Sequence, residues 1–229
     1  MNPFWIRVRA PFAAFRVFQA GIYRSTAPVM PPSTAFGLIL NLAGIEMRTQ
    51  TNAPITLISP DLPKICLAIG TIAVSEKSSL YQQLHSYPVG ASGQEHKARS
   101  FGAKYWIAPV RREVLVGYDG IIGVKSDDSG LIEQIKKGLS GENLQHRYGL
   151  PFAGDNNFLI DRIDILDTPP TNTSWYSRMR PDDPPRKGSY RLTIGINRAD
   201  NSKTSSAIYA PLDVQTTTPP ENVWTWVPS

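Results

Sequence analysis

From Phe4 to Ala10 the chain alternates apolar and polar positions (Phe-Trp-Ile-Arg-Val-Arg-Ala). Period two marks a strand that buries one face and presents the other. The presented face carries Arg7 and Arg9, so it is expected to be basic, and Pro11 is expected to end the strand. An irregular stretch of aromatic and small residues then runs from Phe12 to Met30. Pro31-Pro32-Ser33-Thr34 opens a helix, with Ser33 or Thr34 as cap, a wide apolar stripe over residues 35–43, and Gly44 as the stop. Residues 64–74 read as a buried strand by β-branched content and length.

A polar excursion, Ser75 to Ala103, contains the turn Gly90-Ala91-Ser92-Gly93. Strand character resumes at Tyr105–Val110 and Arg112–Tyr118, so the excursion is expected to be a hairpin arm, a thumb-like insertion over residues 75–104. Ser129 to Leu139 predicts a second helix with Leu131, Ile132, Ile135 and Leu139 on one face and Lys136 and Lys137 near its C-terminus. Asn157–Leu166 is a further strand candidate. The order strand, helix, strand, strand, helix, strand is that of the α+β ferredoxin-like fold. Residues 168–188, rich in Pro, Thr, Ser and charge, read as a flexible loop, and 190–197 as another strand. A Pro/Thr-rich C-terminal extension closes on Trp224 and Trp226, both expected to dock on the body.

Composition narrows the class. At 229 residues and 25.3 kDa the chain is expected to be one domain over 1–229, with long excursions. Hydrophobic residues at 41% and charged residues at 19% are ordinary for a globular protein. Twenty prolines point to many extended connections and few long helices. The single cysteine, Cys66, cannot form an internal disulfide, which points to an intracellular chain. Pro3, Arg7, Arg9 and Arg16 interrupt any secretory-type apolar run, and no window has the apolar length of a membrane span. A soluble, cytoplasmic protein with no membrane partner is expected. The net charge of +5 is mild, but residues 1–45 hold Arg7, Arg9, Arg16 and Arg24 and no acid. That asymmetry fits either a polyanion partner or arginines that are merely solvated.

No metal-ligand spacing, phosphate-binding glycine loop or Gly-x-Ser-x-Gly elbow is present, so no metal and no cofactor are expected. Three segments point to RNA. The first is Phe12-Ala13-Ala14-Phe15-Arg16 continuing to Tyr23-Arg24-Ser25-Thr26, where rings alternate with arginines. Unpaired bases stack on rings while arginines hold phosphates, although Phe12 and Phe15 fit a core equally well. Arg16, Tyr23 and Arg24 are the stronger contacts. The second is the helix start at Ser33 and Thr34, where free N–H groups bind an anion or are simply capped. The third is the arm, with His85, His96, Lys97, Arg99 and Lys104. A histidine beside a lysine has the chemistry for metal-free RNA cleavage, a base taking the 2′-hydroxyl proton and a cation stabilising the phosphorane. Neighbours on a strand point to opposite faces, however, which favours a hairpin that only grips a backbone.

These residues resemble a known family. Ala10-Pro11-Phe12-Ala13-Ala14-Phe15-Arg16, Tyr23 and Pro31-Pro32-Ser33-Thr34-Ala35-Phe36-Gly37-Leu38 are similar to the N-terminal signature of the fifth CRISPR-associated family (Cas-five, DevS-like). Its members are RAMP-type subunits of type I Cascade complexes. Tyr148-Gly149-Leu150-Pro151-Phe152-Ala153-Gly154-Asp155-Asn156-Asn157-Phe158 resembles a second block of that family.

The resemblance implies an RRM-like ferredoxin domain with a β-hairpin thumb, holding the 5′ repeat-derived handle of a guide RNA. Arg16, Tyr23, Arg24, Ser25, Ser33 and Thr34 become candidate handle contacts. Lys97, Arg99 and Lys104 become thumb contacts, and Asn156 and Asn157 candidates in the second block. The implied partners are the large subunit and the first backbone subunit, with target DNA contacted indirectly. One branch of the family cleaves precursor RNA with a tyrosine, a lysine and a histidine. The local order His96-Lys97 departs from that branch, so the non-catalytic kind is expected. The alternative is a metal-independent endoribonuclease using His96, Lys97 and Tyr23.

Overall fold

The computed structural model describes residues 3–17, 23–49, 56–88, 105–142 and 149–228. The chain runs β1 (Phe4–Ala13), β2 (Phe15–Arg16), β3 (Tyr23–Arg24), β4 (Thr26–Ala27), α1 (Pro32–Ala43), β5 (Ile65–Thr71), β6 (Glu76–Pro88) and β7 (Tyr105–Lys125). It continues through α2 (Ser129–Ser140), β8 (Arg162–Leu166), β9 (Ser174–Arg178), β10 (Tyr190–Gly195), β11 (Ser205–Pro211) and β12 (Thr225–Val227).

The central sheet has the order β10-β11-β9-β5-β7-β1-β8. Its inner part, β8-β1-β7-β5, is antiparallel throughout and, with α1 after β1 and α2 after β7, is the ferredoxin-like α+β arrangement. Strands β9, β11 and β10 extend the sheet past β5, and β12 also pairs with β5. Strand β6 pairs with the first half of β7, from Glu76 opposite Val116 to Pro88 opposite Tyr105, and forms a hairpin arm whose base is also paired with β1 and β3 on the other side of β7.

Alternation sets the two layers. Phe4, Ile6, Val8 and Ala10 join Phe36, Ile39 and Leu40 of α1 and Leu131 and Ile135 of α2 in the main core. Trp5, on the other face of β1, packs between Trp175 and Trp224 at 5.6 and 5.9 Å. Gly123 lies opposite Trp5 on β7, and a Cβ there would stand 2.5 Å from the Trp5 ring, so only glycine lets the ring lie flat on the sheet.

Several elements depart from the sequence reading. Strand β1 runs through Pro11 to Ala13, because β8 pairs only as far as Arg9 and leaves β1 with one neighbour where the proline sits. Helix α1 is entered from Pro31 with no side-chain cap; Ser33 and Thr34 lie inside its first turn, and the Pro31 carbonyl accepts from the Thr34 and Ala35 N–H groups. The two strands expected over 105–118 are one 21-residue strand, with Gly117 at φ +65°. Residues 157–161 are turn and bridge rather than strand. Within 168–188, β9 buries Trp175, Tyr176 and Ser177, so the expected loop carries a sheet strand. Trp224 docks, with the Lys125 ammonium 3.9 Å from its ring, whereas Trp226 is 46% exposed. Among the described residues no helix is long and apolar enough to cross a membrane.

Candidate functional site

The first and second sequence blocks meet on one side of the arm's base. Strand β2 pairs with β4, Phe15 opposite Ala27 and Arg16 opposite Thr26, and the Phe15 N–H donates to the Thr26 hydroxyl at 2.7 Å. Strand β3 lies parallel to β7, with Tyr23 opposite Arg111 and Arg24 opposite Arg112. The second block closes over this segment. Ala14 N–H donates to the Ala153 carbonyl at 3.0 Å, and Phe12 and Phe158 stack obliquely at 6.2 Å. Asn41 of α1 holds the start of that block through the Gly149 carbonyl at 3.1 Å.

Gly154 makes the approach possible. Its φ is +81°, and a Cβ there would come within 2.3 Å of the Ala14 carbonyl oxygen and 2.7 Å of the Phe15 ring. Both the backbone conformation and the contact require glycine.

Between the blocks lies a cavity of about 140 Å³ lined by Ala14, Arg16, Arg24, Ser25, Arg112, Glu113, Gly154 and Asp155. That volume admits a phosphate or about one planar ring. Arg112 forms a largely buried ion pair with Asp155. Arg16 is exposed and Arg24 half-buried, and neither side chain has a hydrogen-bond or ion-pair partner among the described residues. Two guanidinium groups, unpaired among the described residues, therefore line the cavity, the arrangement suited to an anion with several oxygens.

Glu113 is a largely buried part of the cavity lining. It accepts from the Tyr23 hydroxyl at 3.3 Å, the Thr26 N–H at 2.9 Å and the Lys77 ammonium at 3.3 Å. Burial alone would depress the Lys77 pKa; the hydrogen bond with the Tyr190 hydroxyl and the pull of Glu113 outweigh it and hold it above the ordinary lysine value.

The structure thus brings Arg16, Arg24 and Ser25 into one cavity and sets Tyr23, 42% exposed, beside its wall. Phe12 is 46% exposed and Phe15 is fully buried against Tyr118, which separates two rings the sequence left equivalent. Ser33 and Thr34 do not line the cavity. Asn156 and Asn157 are exposed on the adjoining turn, where the Asn157 amide donates to Asp155 at 2.7 Å. His96, Lys97, Arg99 and Lys104 lie outside the described residues, and His85 falls on β6. Arg112, Glu113, Asp155 and Lys77 were missed from sequence. The only signal was the charged run Arg111-Arg112-Glu113 inside a strand, where charge is unusual unless paired or functional.

The face of β1 expected to be basic is not free. Arg7 forms a two-pronged ion pair with Asp119 at 2.9 and 2.6 Å, and Arg9 reaches Asp164 at 2.9 Å. Arg162 joins Asp164 at 2.7 Å, and these arginines hold its carboxyl below the ordinary range. The open sheet face is a charge ladder continuous with the tryptophan cluster. Each of its three arginines has a carboxylate partner, Arg9 and Arg162 sharing Asp164.

No protein-family model matches this sequence, and no curated protein matches it. Solved structures do share its fold. A chain described as "CRISPR RNA-guided surveillance complex" matches with a TM-score of 0.57 at 11% identity, covering 97% of this chain and 96% of that one. A second, described as "Crystal structure of Cas protein", matches with a TM-score of 0.55 at 10% identity, covering 94% of this chain and 96% of that one.

Proposed function

We propose that this chain is a non-catalytic, guide-RNA-binding subunit of a type I CRISPR Cascade complex, of the Cas-five kind. In this reading it caps the 5′ repeat-derived handle of the guide and contacts the large subunit and the first backbone subunit. The observation that carries the reading is the cavity at the root of a β-hairpin arm where the Arg16 and Arg24 side chains have no acid partner among the described residues. The fold likeness to a chain of a guided surveillance complex over nearly the whole length supports it.

Arg16 and Arg24 neutralise phosphate oxygens, which makes binding salt-dependent. Tyr23 and Phe12 offer ring faces to unpaired bases. The exposed Asn156 and Asn157 amides offer donors and acceptors to base edges. Lys97, Arg99 and Lys104, which lie between β6 and β7 in the sequence and outside the described residues, add further cations for the RNA.

The test is competition binding with the partner subunits present. Guides carrying the repeat-derived handle should bind at least tenfold more tightly than guides lacking it, and affinity should fall steeply with salt. Equal affinity for the two guides would end the reading. Incubation of precursor RNA in EDTA should leave it intact; a cyclic-phosphate product lost in His96→Ala would replace the non-catalytic reading with that of an endoribonuclease.

A further inference from the structure

Glu113 stands where three stretches of chain converge. Its side chain is 14% exposed, and its two oxygens accept from Tyr23, Thr26 and Lys77. Tyr23 and Thr26 bracket Arg24 and Ser25, which line the cavity. Lys77 belongs to arm strand β6 and also reaches the Tyr190 hydroxyl of β10 at 3.4 Å. One carboxylate therefore ties the arginine-bearing segment to the arm and, through Lys77, to the sheet extension.

Its sign is the puzzle. A negative charge lining a cavity for an anion opposes binding by direct repulsion. The geometry gives it a compensating role. The Thr26 N–H and the Tyr23 hydroxyl are fixed on either side of Arg24, so the guanidinium is presented before RNA arrives rather than ordered during binding.

We propose that Glu113 is a positioning residue for RNA binding: it touches no RNA, and its hold on residues 23–26 strengthens binding by more than its charge weakens it. This rests on the RNA-binding reading above. Two substitutions separate reach from charge. Glu113→Asp keeps the charge but shortens the side chain, withdrawing the carboxylate from Thr26 and Tyr23. Glu113→Gln removes the charge but keeps an acceptor for the Thr26 N–H and offers its amide to the Tyr23 hydroxyl.

The assay is fluorescence-anisotropy titration of the assembled complex with a labelled single-stranded RNA bearing the repeat sequence of the source organism's array, and with a scrambled RNA of equal length. Positioning predicts that Glu113→Gln binds the repeat RNA at least as tightly as wild type. Glu113→Asp should bind about tenfold more weakly, the cost of ordering two long side chains during binding. The Glu113→Asp loss should shrink on an Arg24→Ala background, where the positioned group is gone. A purely structural role predicts an equal loss on both backgrounds, and a purely electrostatic role predicts Glu113→Asp equal to wild type; either overturns the proposal alone. A wild-type complex that binds repeat and scrambled RNA equally overturns the RNA reading instead.

Discussion

Gly154→Ala probes the junction on which the cavity depends. At φ +81° an alanine is strained by about 1–2 kcal/mol relative to glycine. Its Cβ would also meet the Ala14 carbonyl at 2.3 Å, a backbone atom that cannot swing aside, and the Phe15 ring, fully buried, at 2.7 Å. Overpacking of this kind adds about 1–3 kcal/mol. The sum, about 2–5 kcal/mol, lowers Tm by roughly 4–20 °C in a chain of this size. Gly117→Ala is the internal control. Its φ is +65°, yet nothing lies within 4 Å of the Cβ position, so it carries only the backbone cost. Thermal unfolding followed by circular dichroism should therefore rank wild type above Gly117→Ala and Gly117→Ala above Gly154→Ala. RNA affinity should fall for Gly154→Ala as the second block is pushed off the first. Equal Tm values for the two alanine variants would refute the claim that close contact, and not φ alone, fixes Gly154.

Arg16→Glu and Arg24→Glu should each weaken RNA binding by more than tenfold, and Arg16→Ala or Arg24→Ala should reduce the salt slope by about one, as read from titrations at several ionic strengths. Trp5→Ala removes the ring between Trp175 and Trp224 and should cost about 3–5 kcal/mol in urea unfolding, with loss of the near-UV tryptophan signal. Burial pushes the Tyr176 hydroxyl up to about 12 and raises that of Tyr118 as well. Both lie above the unfolded value of about 10, so their contribution to stability is complete below that pH and is lost as pH rises through the folded values. Part of the phenolate absorbance in an alkaline titration should thus appear only together with unfolding.

Local signals in the sequence were enough for the inner fold. The alternation from Phe4, the apolar stripe closed by Gly44 and the amphipathic run from Leu131 each follow from the side-chain period of one element, and each appears in place. Strand β9 was hidden because its five residues sit among prolines and threonines, and only its neighbours in the sheet make it a strand. Strand β7 looked like two strands because Pro109, the charged run at 111–113 and Gly117 interrupt its apolar pattern, while pairing to β1, β5 and β6 carries it through.

The site divided along the same line. Arg16, Tyr23, Arg24 and the second block were visible as residue types, but nothing local says that Gly154 packs on Ala14 or that Asp155 pairs with Arg112. Arg7 and Arg9, whose role the sequence leaves open, show the same dependence. Their exposure pattern was read correctly as a polar face, but Asp119 is 112 positions from Arg7 and Asp164 is 155 from Arg9, so neutralisation depends on strand register that a single sequence does not display. The arginines of the sheet face are each paired with a carboxylate, whereas the side chains of Arg16 and Arg24, beside the arm, have no ion-pair partner among the described residues.

The most direct test is to map where RNA touches the chain. Guide RNA substituted with 4-thiouridine in its repeat-derived portion can be cross-linked in the assembled complex and the modified peptides identified by mass spectrometry. Cross-links should fall on Phe12–Arg16, Tyr23–Ser25 and Asp155–Asn157, around the cavity. Cross-links confined to the charge ladder of Arg7, Arg9 and Arg162, with none at the cavity, would contradict the assignment of this surface to RNA.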